Sequence, residues 1–264
     1  MPPASPDPDP DHASDAARSA SNIPSDLLAR ARDLLRPGRR IVSFSGAGLS
    51  AESGIPTFRD AATSGFWIEY DPQKLASPEG FEADPDLVLR WYNDRRAGVA
   101  RAQPNAAHRA LAARSDITNI TQNIDDLLTR AGAQNVIQLH GQLIEDRCHR
   151  HCGHRETVDL NDPPGQRWCP MCGAHMRPDV VWFGENLPTD AWDAAEEAST
   201  NCDVMLVVGT AAEVYPAAGL IALAKGSGAD IVIVNTNPSV ASALADVELI
   251  APAAVVLPAI LLDG

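Results

Sequence analysis

SGAGLSAESGIPTFRD, residues 45–60, follows directly on the apolar run IVSF, residues 41–44. The β-branched and aromatic content of that run, bounded by Arg36-Pro37-Gly38 before it and by glycine after it, predicts a buried strand. Gly46 and Gly48 accept positive φ and let other backbone come close, so main-chain N–H groups there can face a pyrophosphate. The spacing Gly46-x-Gly48-x-x-Ala51 fits the dinucleotide-binding turn. Pro56 stands against the long helix that usually follows such a turn. The segment is therefore predicted as an extended loop that folds over its ligand and ends in Phe58 and Arg59.

Four later stretches repeat the strand-then-polar pattern. ITNIT, from Ile117, runs into Gln122, Asn123 and Asp125; VIQL, from Val136, runs into His140-Gly141; MLVV, from Met205, runs into Gly209-Thr210; and IVIV, from Ile231, runs into Asn235. With helical patterns between most of them, five strands are predicted to form a parallel α/β sheet whose carboxyl ends deliver polar groups to one edge. Asn235 is placed either to bond a ribose hydroxyl or simply to turn the chain, since NTNPS is also turn-like. His140 at a strand end is either a general base or a satisfied structural histidine.

The helices between are read from leucine spacing. Residues 25–36 carry a leucine and alanine stripe with Ser25 as the expected cap and Pro37-Gly38 as the stop. Asp84-Pro85 opens a helix through about Val99, which sets Tyr92 and Arg95 one turn apart on one face. Residues 105–114 form an alanine-rich helix in which His108 is expected to pack and to bond a neighbour.

The 264-residue chain is long enough for a sizeable core, and its formal net charge of −14 opposes attachment to nucleic acid or anionic lipid while suiting basic protein partners. Residues 1–22 lack an apolar centre and read as a disordered tail, not a targeting segment. The apolar stretch 253–262 is too short to span a membrane and contains Pro258. Of five cysteines, Cys148 with Cys152 and Cys169 with Cys172 form two tight pairs, the spacing of a structural zinc ribbon in a reducing compartment, here the cytoplasm. The three-residue gap in the first pair leaves open that His149, His151 or His154 replaces one thiolate. Cys202 reads as core, and Ser50 and Ser53 lack the strand-turn-helix elbow of a serine hydrolase.

Taken in order, GAGLSAESGIPTFR, TQNID (residues 121–125), LHG (139–141), the four cysteines and VVWFGENLP (180–188) resemble the signature of the sirtuins, NAD-dependent protein deacylases. The resemblance covers roughly residues 41–261. It implies an α/β fold, a Rossmann-like doubly wound parallel sheet with a smaller inserted zinc-ribbon and helical module. The implied division is 23–62, 104–142 and 182–264 for the NAD-binding domain, 63–103 for a helical acyl-pocket module, and 143–181 for the ribbon. It further implies that Gly46, Ala47, Gly48, Ser50, Phe58, Arg59, Gln122, Asn123, Asp125, Gly209, Thr210, Asn235 and Ala253 hold NAD, that His140 is catalytic, and that one zinc ion sits on the cysteines. Val181, Phe183 and Gly184 would pair with the backbone of an acyl-lysine protein substrate. The family's Gly-Thr-Ser reads Gly209-Thr210-Ala211 here.

The implied reaction consumes NAD without hydride transfer. The acyl-lysine oxygen attacks the nicotinamide ribose, nicotinamide leaves, His140 activates a ribose hydroxyl, and water completes release of lysine and O-acyl-ADP-ribose. ADP-ribosyl transfer or NAD hydrolysis is the alternative use of the same bond cleavage. Tyr92, Arg95 and the small Ala76 resemble the subgroup that removes malonyl and succinyl as well as acetyl groups. On helix spacing alone, Arg95 or Arg96 would merely pair with Asp94 or a nearby glutamate.

Overall fold

The computed structural model describes residues 23–56 and 75–262. The expected tail, and with it Phe58 and Arg59, therefore lie outside the described residues. Strands β1 (Ile41–Ser45), β2 (Ile117–Thr121), β3 (Val136–Gln138), β7 (Val204–Val208), β8 (Asp230–Asn235) and β9 (Val247–Ile250) form one sheet in the order β3-β2-β1-β7-β8-β9, with every neighbouring pair parallel. Chain order reverses between β1 and β7, so a crevice opens beyond their carboxyl ends, where the glycine turn lies. The sixth strand, β9, was not among the five expected. It lies at the sheet edge and buries only Val247 and Leu249, too short a pattern to stand out from the surrounding residues.

Both sheet faces are covered, which is why β1 and β7 are buried at all five positions; β7 reads as an unbroken apolar run, and the two serines of β1 bond Asn119 and Thr121 of β2. One face, with Ile41, Leu206, Val232 and Val234, packs against α1 (Ser25–Leu34), α5 (Ala106–Ala112) and α9 (Ala253–Leu261). The other, with Val42, Phe44, Met205 and Ile233, packs against α7 (Thr189–Asn201) and α8 (Gly219–Gly226). Ser25 does not cap α1. Pro24 holds that position without a side-chain bond, and Ser25 is the first helical residue. Asn105 does cap α5, with His108 completing a reciprocal capping box.

A second sheet, in the order β5-β4-β6, is antiparallel: β4 (Gly141–Cys148), β5 (Arg155–Thr157) and β6 (Met176–Val180). Against it packs α4 (Pro85–Arg101), whose first turn is capped by Asp84, and the short α3 (Pro78–Ala83). Their shared core holds Phe81, Val88, Trp91, Tyr92, Leu143, Val180 and Trp182. Arg96, fully buried on α4, binds Asp146 at 2.6 Å and the Leu143 carbonyl at 2.9 Å. Asp146 also takes Arg167, so a buried carboxylate with two cationic partners ties α4 to the second sheet. β6 stops at Val180, just before the segment implied to pair with substrate. The N–H of Val181 is already held by the His140 carbonyl, and that of Phe183 by the Ala76 carbonyl, each at 2.9 Å.

Candidate active site

Two backbone turns interlock at the reversal point. Gly46 N–H donates to Val208 O at 3.0 Å and Gly48 N–H to Gly209 O at 2.8 Å. A Cβ on Gly48 would stand 2.7 Å from Gly209 Cα, and one on Gly209, at φ +58, would stand 2.5 Å from the Gly48 carbonyl carbon. Only glycine at both positions lets the turns nest this closely. Beyond them the helix lasts four residues, α2 (Gly48–Ala51), in agreement with the reading of Pro56. Ala47 caps α2 in helical geometry without a side-chain bond.

Ser50 is the centre of a buried polar network. Its hydroxyl receives the Asn123 amide at 3.1 Å and donates to an Asp125 carboxylate oxygen at 2.9 Å. His108 Nε2 stands 3.4 Å away. The Asn105 N–H can only donate, and it points at His108 Nδ1, so Nε2 carries the ring proton and faces Ser50. Burial, with Arg109 nearby, pushes His108 down to about 4 and keeps the ring neutral. His108 thus packs and bonds its neighbours as expected, and in doing so directs the Ser50 proton toward Asp125. The PNAAH segment was the signal, since it carries both Asn105 and His108. Burial raises Asp125 above the usual carboxylate range, against the opposing bonds from Leu127 N–H and Ser50 and the charge of Arg95.

A second chain of bonds crosses the strand ends. Gln122 donates through its amide to Thr210 Oγ1 at 3.1 Å, and Asn235 donates to the Thr210 carbonyl at 3.0 Å. These bonds connect the ends of β2, β7 and β8. Ala211 follows, half-buried, and the Ala212 N–H also goes to Thr210 Oγ1. Ala253 is buried as the first residue of α9, beside Ala254, whose N–H is held by Glu52 at 2.8 Å.

His140 lies where the chain leaves the parallel sheet for the antiparallel one. Its Nδ1 is 3.0 Å from the Gln122 carbonyl, which can only accept, so Nδ1 carries the proton and Nε2 has a free lone pair. Burial lowers its pKa below the ordinary histidine value, partly offset by that bond. The imidazole is therefore neutral and basic at neutral pH. Gly141 must be glycine, because at φ +74 a side chain would strike the Asp179 carbonyl.

Tyr92 and Arg95 project from α4 toward this region. Arg95 stacks with its guanidinium carbon 5.1 Å from the Trp91 ring centre, and its charge acts on both Tyr92 and Asp125. The plain pairing with Asp94 does not occur for Arg96, which takes Asp146. Tyr92 is buried. Its pKa is pushed up to about 12 by burial, against the charge of Arg95, and its oxygen accepts the Trp182 Nε1–H at 2.7 Å. Trp182 was not singled out from sequence, nor was Arg177, whose guanidinium carbon lies 3.7 Å over the indole. Burial brings Arg177 down to about 10, which leaves it charged, and it pairs with Glu185.

At the far end of β4 and β6, the sulfurs of Cys148, Cys152, Cys169 and Cys172 all lie within 4.8 Å of one another, and none is in a disulfide. Four thiolates so gathered suit one tetrahedral zinc ion and leave no position for substrate. No histidine joins the group among the described residues, and two of the neighbouring ones have other partners. His149 meets Glu82 and Phe81, and His151 meets Glu185 and is exposed. The four-cysteine set is a structural zinc site.

The profile of the Sir2 family matches residues 46–216. A protein of Ralstonia nicotianae named NAD-dependent protein deacylase is 48% identical over 238 residues, which cover 88% of this chain and 95% of that one. A solved Sir2 homologue in complex with NAD superposes with a TM-score of 0.81 at 39% identity, over 90% of this chain and 92% of that one. A Sir2 protein solved with a deacetylated p53 peptide and 3′-O-acetyl-ADP-ribose has a TM-score of 0.79 at 32% identity, covering 90% and 98%. The same motifs on the same fold, matched over nearly the whole length of both partners, mean that this chain belongs to the Sir2 family.

Proposed function

We propose that the chain is an NAD-dependent protein-lysine deacylase that removes acetyl and also succinyl and malonyl groups, releasing nicotinamide and O-acyl-ADP-ribose. The observation that carries this reading is His140. Its imidazole is locked by the Gln122 carbonyl with Nε2 bare, and Gln122 adjoins Asn123 of the Ser50–Asn123–Asp125 network. The related deacylases and the Sir2 complexes with NAD and acetyl-ADP-ribose supply the reaction class.

In this reading NAD is a substrate. Gly46, Ala47, Gly48 and Ser50 contact its phosphates and adjoining sugar, with Gly209 and Thr210 opposite them. Gln122, Asn123 and Asp125 order the nicotinamide end, and Asn235 and Ala253 the adenosine end. Phe58 and Arg59 belong to the same loop. His140 takes a proton from a ribose hydroxyl through Nε2, while Nδ1 stays on Gln122 and prevents the ring from rotating away. The acyl-lysine peptide, a segment of a protein substrate, lies along Val181, Phe183 and Gly184. Since two N–H groups there are already bonded within the chain, this contact relies on other backbone groups of the segment. The zinc ion gives the ribbon its fold and takes no part in the steps above. A cytoplasmic location follows the reading of the sequence; no helix among the described residues is long and apolar enough to cross a membrane.

The acyl range rests on Tyr92 and Arg95. A carboxylate at the end of the acyl chain would meet the guanidinium of half-buried Arg95 and the phenol of buried Tyr92, and charge-assisted bonds strengthen as water is excluded. The test is mass analysis of products from NAD and one peptide bearing acetyl- or succinyl-lysine. Equimolar nicotinamide and O-acyl-ADP-ribose, formed only with the acylated peptide, are expected. Nicotinamide release without the acyl product would instead establish NAD hydrolysis if ADP-ribose is free, or ADP-ribosyl transfer if it is bound to protein.

A further inference from the structure

Trp182 and Tyr92 are 90 positions apart, yet the indole Nε1–H donates to the phenol oxygen at 2.7 Å in the middle of a closed aromatic core. Both side chains are buried, at 2% and 1% exposure. The indole is held on every side the structure describes. Arg177 covers one face at 3.7 Å, Phe81 packs at 5.3 Å, the Tyr92 ring lies at 6.2 Å and 28°, and Glu185 accepts the Trp182 backbone N–H at 2.9 Å while also binding Arg177. Arg177, Phe81 and the Glu185 bond fix the donor direction of Trp182 independently of the Tyr92 hydroxyl.

A phenol has one proton, and that proton cannot take the direction an incoming N–H already fills. Among the described residues, no group accepts the Tyr92 O–H. A buried hydroxyl that receives a bond but has no acceptor of its own is poised for an acceptor that arrives with a ligand. Receiving the Trp182 bond also makes the phenol a better donor, since bonds in a chain polarise one another. Arg95, one turn along α4, brings positive charge to the same place. A ligand group that accepts a bond and carries negative charge suits the Tyr92 hydroxyl in that field.

We propose that Trp182 is a specificity-determining positioning residue. Its Nε1–H directs the Tyr92 hydroxyl proton toward the terminal carboxylate of an acidic acyl-lysine, so that Tyr92 reads the charge of the acyl chain while Trp182 sets the direction of reading. This rests on the acyl reading of Tyr92 and Arg95 given above. The indole touches the substrate only through Tyr92.

The experiment uses the full chain and one peptide sequence carrying succinyl- or acetyl-lysine. It measures kcat and KM for wild type, Trp182→Phe, Tyr92→Phe, the double variant and Arg95→Met. Trp182→Phe keeps a ring between Arg177 and Tyr92 but lacks the N–H. It is expected to lower the succinyl-to-acetyl ratio of kcat/KM about two- to tenfold, chiefly through KM for the succinyl peptide. In the Tyr92→Phe background the same change is expected to leave the ratio where Tyr92→Phe alone put it, a dependence that loss of packing would not produce. If Trp182→Phe fails to fold, 3-benzothienylalanine at position 182 keeps the indole shape without the N–H and carries the same expectation. If Arg95→Met collapses the ratio while Trp182→Phe, or its isostere, leaves it unmoved, the inference is overturned and the acyl reading survives. Additive effects of Trp182→Phe and Tyr92→Phe also overturn it. A ratio that none of the variants moves overturns the acyl reading together with the inference.

Discussion

At the scale of single residues, the site depends on which atom carries a proton. As a general base His140 needs an unprotonated Nε2, and the Gln122 carbonyl favours that tautomer by accepting the bond from Nδ1–H. His140→Ala is expected to lower kcat by about 10² or more, while the melting curve and NAD affinity stay close to wild type; near-normal turnover in a folded variant would remove His140 from the chemistry. Because burial lowers the His140 pKa, its protonation shuts off activity only on acidification below the ordinary histidine value. The acid limb of kcat/KM should therefore lie below pH ~6.5 and disappear from the residual activity of His140→Ala. A group with a lowered pKa also binds fewer protons in the folded state than in the unfolded chain. Its contribution to stability is thus present above the unfolded value and is lost as pH falls toward the folded one. Arg95 is the other residue with a separable effect. Arg95→Met is expected to reduce the succinyl-to-acetyl ratio about ten- to a hundredfold, the worth of a charged hydrogen bond, and an unchanged ratio would show that Arg95 does not read the acyl chain.

At the scale of elements, β4 and β6 connect chemistry to metal. Their register runs from Gly141 opposite Val180, beside His140, to Cys148 opposite Met176, at the cysteines. The small core around Cys148, Cys169, Ala174 and Met176 holds little apolar surface, so it needs the ion to stay folded. Removing zinc with a chelator, or replacing Cys169 with Ser, should melt the three-stranded sheet from the cysteine end and carry the loss of order to Val181 and Trp182. The measurement is zinc content set beside far-UV circular dichroism and thermal melting. Metal-free protein that keeps its native melt would contradict the dependence of the ribbon on zinc.

At the scale of the whole molecule, the parallel sheet and the antiparallel one are joined at His140 and by the packing of α4. The buried pair Arg96 and Asp146, with half-buried Arg167 beside it, sits in that packing. Deleting one partner of such a group leaves charge uncompensated in the interior, so Arg96→Met should destabilise by about 3 kcal/mol, less if Arg167 shifts to cover Asp146. The double change Arg96→Met with Asp146→Leu should recover a good part of that loss, because the orphaned carboxylate goes too. Urea midpoints for the two single variants and the double variant decide it. A double variant as unstable as the sum of the singles would mean that the ion pair is not what joins α4 to the second sheet.

What the sequence determined alone was everything written in contiguous residues. Apolar β-branched runs ending in small or polar groups marked five of the six parallel strands, most plainly β1, β7 and β8, which are buried on both faces and have little polar side to blur them. Gly46, Gly48 and Gly209 marked the nested turns, Asp84-Pro85 the start of α4, and the paired cysteines the metal. The edge strand β9, with two buried residues, left too faint a pattern. Tertiary structure alone decided the contacts between residues far apart in the chain. Arg96 found Asp146 and not Asp94, His108 reached Ser50 across 58 positions, and the Trp182 N–H reached the Tyr92 oxygen across 90. The physical reason is that strand and turn formation follow from local sterics and periodicity. The partner of a buried polar group, in contrast, is set by which elements the core brings together, and no short stretch of sequence carries that information.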